Sequence, residues 1–200
     1  MIEVWTASIG HARRPGSATE FARVVLGALL HLKPHLVPLR RSCRRCGSTE
    51  HGKPYVLGHP IHFSASAAGN RAAVATGPGP LGIDLVRLAD IGPDAAYAIL
   101  GDEEWASDSR ALATLWARKE AILKATGDGL AIDPRDVRVS PPDAAAALLA
   151  WPGGSVGGLH VVDFKAPSQD DYVSSVAWLS GPVKGTVAHR DATALLRGRS

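Results

Sequence analysis

Apolar and polar side chains alternate through Ile2-Glu-Val-Trp-Thr-Ala-Ser8, the period of a half-buried strand that opens a first sheet. From Ser17 to Leu32 the period changes. Phe21, Val24, Val25, Ala28, Leu29 and Leu32 recur at helical spacing, Ser17 or Thr19 can cap the start, and Lys33-Pro34 ends the helix. Ile61-His-Phe-Ser-Ala-Ser-Ala67 reads as a strand running into a loop of small residues, and Arg71 to Ala75 as a short apolar strand. The sharpest break in composition is Thr76-Gly-Pro-Gly-Pro80, which divides the chain into an N-terminal lobe, 1–79, and a C-terminal lobe, 80–200.

The second half opens with the strand Leu81-Gly-Ile-Asp-Leu-Val86, where Ile83 and Leu85 share one face and Asp84 shares the other with Gly82 and Val86. A helix is expected over Gly92 to Ala106, with Asp102-Glu-Glu104 as a solvated acidic turn. Ser107 or Asp108 then caps a central helix that Gly127 and Gly129 stop, and Leu112, Leu115, Ile122 and Leu123 supply its buried side. Val137-Arg-Val139, Ser155 to Phe164 and Tyr172 to Leu179 read as antiparallel strands of a second sheet, and His189 to Ser200 as a loosely held tail.

Composition narrows the class without choosing a function. With 46% hydrophobic and 20% charged residues in 200 positions, one sizeable domain or two small ones can be built. There is no run of about twenty apolar residues to cross a membrane, and Met1 to Gly10 lacks the pattern of a secretory signal, so a cytoplasmic location is expected. Cys43 and Cys46 are too few and too close to staple a secreted scaffold. A net charge of +3 is a mild excess, and Arg13, Arg14, Arg23 and Lys33 around the first helix read as solvated charges. Nucleic acid is not called for; a polyanionic small ligand or an acidic protein partner suits this surface at least as well.

Chemistry is concentrated in Trp116-Ala-Arg-Lys-Glu-Ala-Ile-Leu-Lys124. On a helix Trp116, Glu120 and Lys124 stack on one face, with Lys119 displaced by about 100° and able to approach from the flank. A carboxylate and an ammonium so placed can hold a divalent cation and a phosphate oxygen bound to it, although the same spacing is also a common surface ion pair. Asp84 lies in so apolar a strand that it needs a partner, either a metal or a hydrogen-bond network. Lys53, in the turn Gly52-Lys-Pro54, can meet a phosphate or a base edge or simply occupy a turn. Ser64 and Ser66 point the same way and can donate to phosphate oxygens or merely permit close packing. Cys43-Arg-Arg-Cys46-Gly47 is half of a zinc knuckle that His51, His35, His59 or His62 can complete, or else a turn with two reduced thiols.

In their order along the chain, Gly52-Lys-Pro54, Phe63-Ser-Ala-Ser66, Gly82-Ile-Asp-Leu-Val86, Trp116 to Lys124 and Gly127-Asp-Gly-Leu130 resemble the motifs of the phosphopantetheinyl transferases. These enzymes move the 4′-phosphopantetheine arm of coenzyme A to a serine of an acyl or peptidyl carrier protein with a magnesium ion, releasing adenosine 3′,5′-bisphosphate. The likeness covers about Cys43 to Val139 and is closest to the two-lobed type that activates nonribosomal peptide and polyketide synthases. It implies an α/β (α+β) fold of two similar lobes related by a pseudo-twofold, each a small, mostly antiparallel sheet packed on a long helix, in a monomer that acts as a pseudo-dimer. It further implies that Asp84 and Glu120 hold magnesium, that Glu120 takes the serine proton, that Lys124 and Lys119 neutralise phosphates, and that Lys53 and Ser64 contact the adenosine end of coenzyme A.

The chain departs from that pattern at three places. Val86 stands where many relatives carry a third acidic ligand, Ala65 replaces a histidine that reaches a coenzyme A phosphate, and the arginine-rich first helix is thin, with Arg23 alone. An alternative of another class is therefore a homologue that binds coenzyme A or a carrier protein without efficient transfer. A third is a zinc-ribbon-like interaction module around Cys43 and Cys46.

Overall fold

Two small sheets, each backed by a helix, form an α+β protein. The computed structural model describes residues 1–9, 18–165, 170–179 and 187–197, without the side chain of Leu130. Arg13, Arg14 and Ser17 lie outside the described residues. The first sheet takes β1 (Ile2–Ser8), β4 (His62–Ala68), β5 (Arg71–Gly77) and β11 (Val187–Asp191), in the order β11-β1-β5-β4. Helix α1 (Ala18–Leu30) lies on it, burying Phe21, Val25 and Leu26 against Phe63, Ala72 and Val74. Along the chain, a hairpin of β2 (Leu39–Ser42) and β3 (Lys53–Val56) lies between α1 and β4.

The second sheet has the order β6-β10-β9, from β6 (Leu81–Arg87), β9 (Leu159–Asp163) and β10 (Tyr172–Leu179). A short helix α2 (Ala95–Ile99), the long helix α3 (Ser109–Thr126) and a small hairpin of β7 (Arg138–Val139) and β8 (Leu148–Ala150) complete this half. Asp108 caps α3 by accepting from the Ala111 N–H at 2.8 Å, and Gly127 closes it in the left-handed region, φ 83°, donating to the Leu123 carbonyl. Leu112, Leu115, Ile122 and Leu123 are buried, as their spacing predicts.

A third apolar cluster unites the sheets. Ile2, Val4, Ala73 and Ala75 of the first pack against Leu81, Ile83, Leu85, Val176 and Trp178 of the second. No helix among the described residues is long and apolar enough to cross a membrane.

Three expectations are corrected here. Ser64 and Ser66 lie within β4, which continues to Ala68, because its residues pair with β5 along its whole length. The helix expected over 92–106 shrinks to Ala95–Ile99, since Leu100 turns to an extended conformation and Gly101 to Glu104 form a separate turn. The supposed loose tail is a strand and a helix: β11 pairs in parallel with β1, and α4 (Thr193–Arg197) places Leu195 and Leu196 against the first core.

Gly82 sets the approach of β6 to α3. A Cβ there would lie 2.1 Å from the Ala121 carbonyl oxygen and 2.5 Å from the Ala125 nitrogen, both backbone atoms that cannot swing aside. Gly82→Ala is expected to cost about 1–3 kcal/mol through overpacking, read as a lower urea midpoint with an unchanged denaturant slope.

Candidate active site

A strand at the edge of its sheet must find partners for one row of backbone groups. The edge of β6 turned away from β10 finds them in side chains. Ile83 N–H donates to the Ser64 hydroxyl at 3.1 Å, and Leu85 N–H to the Ser66 hydroxyl at 3.2 Å. On the same edge the Leu81 carbonyl accepts from Lys53 Nζ at 3.0 Å and the Ile83 carbonyl from Lys124 Nζ at 3.3 Å. Residues 81, 83 and 85 face one way because backbone groups alternate along a strand. The small side chains at 64 and 66 thus let the two sheets meet, while hydroxyls replace the missing strand neighbour.

Asp84 sits in the middle of this seam, 6% exposed. Its Oδ1 accepts from the Ser66 hydroxyl at 2.9 Å and from Lys124 Nζ at 2.5 Å. Lys124 Nζ lies 3.9 Å from Glu120 Oε2, so two carboxylates from different elements converge on one positive charge. From Trp116 to Thr126 the residues of α3 that escape full burial are Trp116, Glu120 and Lys124, each one turn from the next. Burial pushes the Glu120 carboxyl above its usual range, the Lys124 ammonium opposes that, and the Asp84 charge adds to it. Two hard oxygen donors already gathered around a cationic nitrogen are a set that suits a divalent cation such as magnesium. Val86 supplies nothing to it, being packed against Ala113 and Ala117 of α3.

The other residues singled out in the sequence are placed differently. Lys119 is fully buried on another side of α3, where it donates to the Ile99 carbonyl at 2.6 Å, the Pro134 carbonyl at 3.0 Å and the Glu104 carboxylate, so the structure does not bring it to Asp84 and Glu120. The Glu104 side chain is 5% exposed and also accepts from the Gly101 and Val139 N–H groups, which corrects the expectation of a solvated acidic turn at this residue. Arg23 donates to the Val37 carbonyl at 2.6 Å, and Ala65 packs into the first core. Sequence reasoning passed over Arg118, 1% exposed, which binds Asp163 and the carbonyls of Ser140, Pro141 and Ala144. It also left Ser66 without its particular partner, Asp84.

Lys53 lies at the start of β3 and gives all three of its N–H groups to carbonyls, those of Leu81, Lys124 and Ala125. Burial, with the neighbouring Arg44 charge, lowers its pKa to about 8 from 10.5. A lysine depressed in the fold is deprotonated there first, so between about pH 8 and 10.5 the unfolded chain holds the extra proton and stability rises with pH. The wild type should therefore gain on Lys53→Met as pH is raised from 8 to 10, measured as the difference between their urea midpoints.

A family model described as the 4′-phosphopantetheinyl transferase superfamily matches residues 80–177, which hold Asp84, Glu120 and Lys124. Residues 80–177 belong to the 4′-phosphopantetheinyl transferase superfamily. Among curated relatives, a 4′-phosphopantetheinyl transferase of Bacillus subtilis is 29% identical over 118 residues, 54% of this chain and 52% of that protein. A protein of Paracidovorax citrulli (strain AAC00-1) named bifunctional protein GlmU is 32% identical over 144 residues, 71% of this chain but 28% of that protein. The chain thus spans about half of one relative and about a quarter of the other, and most of the length that the second name describes has no counterpart here.

Proposed function

We propose that the protein transfers the 4′-phosphopantetheine arm of coenzyme A to a serine of an acyl or peptidyl carrier protein. The observation that carries this reading is the convergence of Asp84 and Glu120 on the Lys124 ammonium, in the half of the chain matched by the superfamily. In the reaction the serine oxygen bonds to the pantetheine-side phosphorus of the coenzyme A pyrophosphate. The P–O bond to the 5′-phosphate of adenosine 3′,5′-bisphosphate breaks with its electron pair, and Glu120 takes the serine proton directly or through a water. Asp84 and Glu120 would hold a magnesium ion, which would supply positive charge to the pyrophosphate. Ser66 fixes the Asp84 carboxylate by donating to it, and Lys124 offers an ammonium to phosphate oxygens from the open side of α3. Lys119, whose donors are spent inside the protein, takes no part in phosphate binding.

The division at 79/80 into two lobes, with coenzyme A lying along their seam, belongs to the same proposal. So does an acidic carrier domain as partner, docking near the open stripe of α3. A second reading is favoured by Lys53 and Ser64, whose polar atoms at the expected adenosine end are engaged by the protein's own backbone, and by Ala65 in place of a histidine. In that reading the protein binds coenzyme A or a carrier and transfers poorly. Incubation with coenzyme A, magnesium and apo carrier proteins, followed by intact mass measurement of the carrier, separates the two. A gain equal to the phosphopantetheine arm supports transfer. Binding of coenzyme A without mass gain across several carriers supports the second reading.

A further inference from the structure

Cys43, Cys46 and His51 lie in the loop that joins β2 to β3, and one ligand atom from each falls within 4.8 Å of the other two. The pair Cys46 Sγ and His51 Nε2 is 3.4 Å apart. Two ligands on a tetrahedral zinc ion, at about 2.3 Å for sulfur and 2.0 Å for nitrogen, stand roughly 3.6 Å from each other, so this pair is already at coordination distance. Neither cysteine is in a disulfide, and both retain some exposure, so an ion can enter. The turn is built as a knuckle: Gly47 N–H returns to the Cys43 carbonyl at 2.9 Å, and Cys43 N–H to the Ser48 carbonyl at 2.9 Å. His35, His59 and His62, offered by the sequence as alternatives to His51, are not in the cluster.

The loop is joined to the central helix at two points, one within the cluster and one just after it. Arg44, between the two cysteines, donates to the Thr126 carbonyl at 3.2 Å. Lys53, two residues after His51, donates to the carbonyls of Lys124 and Ala125. These are the carbonyls that the end of α3 leaves open, at its negative pole, one turn from Glu120. We propose that Cys43, Cys46 and His51 bind one zinc ion, with water as fourth ligand, and that this ion locks the 43–52 loop onto the C-terminal end of α3. Two thiolates and a neutral imidazole suit zinc and do not suit the hard cation of Asp84 and Glu120, so the two metals do not compete for one site.

The test uses the tag-free full chain, purified under reducing conditions without chelator. Elemental analysis should find about one zinc per chain, since structural sites are normally full. Cys46→Ser and His51→Ala should each leave less than about 0.2, with Glu50→Gln unaffected. Cobalt added to chelated protein should give the visible absorption of a tetrahedral thiolate site. Zinc below about 0.2 per wild-type chain together with no cobalt spectrum overturns the proposal without reliance on any variant. Amide exchange at residues 123–127 tests the lock: it should speed up when zinc is removed and recover on adding zinc back, and unchanged exchange after complete removal would exclude that role.

Discussion

Glu120→Gln should lower the rate of phosphopantetheine transfer by about 10²–10⁴-fold while leaving the fold as stable as the wild type or slightly more so. The rate loss follows from removing the proposed proton acceptor and one of the two carboxylates that converge on Lys124. The stability result follows from the surroundings of Glu120, which raise its pKa chiefly by burial and secondarily through Asp84. A carboxyl whose folded pKa exceeds the unfolded value contributes most below the unfolded pKa, and that contribution is lost as pH rises through the folded one. At neutral pH without magnesium the charge is therefore a net cost, which an isosteric amide removes. Transfer by intact mass and urea midpoints in metal-free buffer give the two readings. A variant that transferred within threefold of the wild type at limiting magnesium would remove Glu120 from the chemistry. A variant that unfolded would move its role from chemistry to structure.

That combination of a local motif and a stability cost explains what the sequence made legible. The stripe of Trp116, Glu120 and Lys124 followed from helical spacing alone, and the structure leaves that stripe as the open side of α3. Asp84 in an apolar strand announced its need of a partner, but the partner, Ser66, comes from another sheet, and no local period reveals a pairing across the seam. Lys119 carries a readable warning: it falls four residues after Leu115 and three before Ile122, on the apolar side, where a lysine must be buried and neutralised. Glu104, its neutraliser, looked like one of three solvated acids because its burial depends on the Gly101 turn closing over α3. The return of β11 to β1 was hidden for a similar reason, since parallel pairing between chain ends has no turn to signal it.

The second large effect is expected at that same buried pair. Lys119 is fully buried and the Glu104 side chain is 5% exposed, so truncation of Glu104 leaves an ammonium in the core with two carbonyls and without its ion-paired carboxylate. Glu104→Ala should cost about 3–5 kcal/mol, against about 0–1 kcal/mol for an exposed surface pair. For a chain of this length that is a fall in Tm of roughly 10 °C, measurable by calorimetry. Part of the loss comes from the Gly101 and Val139 N–H groups, which also donate to the Glu104 carboxylate. Burial already lowers the Lys119 pKa, with Glu104 acting against the shift. Without Glu104 the lysine gives up its proton more readily in the fold than in the unfolded chain, so the variant should regain stability as pH rises toward the ordinary lysine value. The double replacement Glu104→Leu with Lys119→Met separates charge from packing. It should recover most of the loss, because replacing a buried ion pair by apolar side chains of similar volume is often neutral or stabilising. A double variant as unstable as Glu104→Ala would assign the cost to the two backbone N–H groups and the closure of the Gly101 turn.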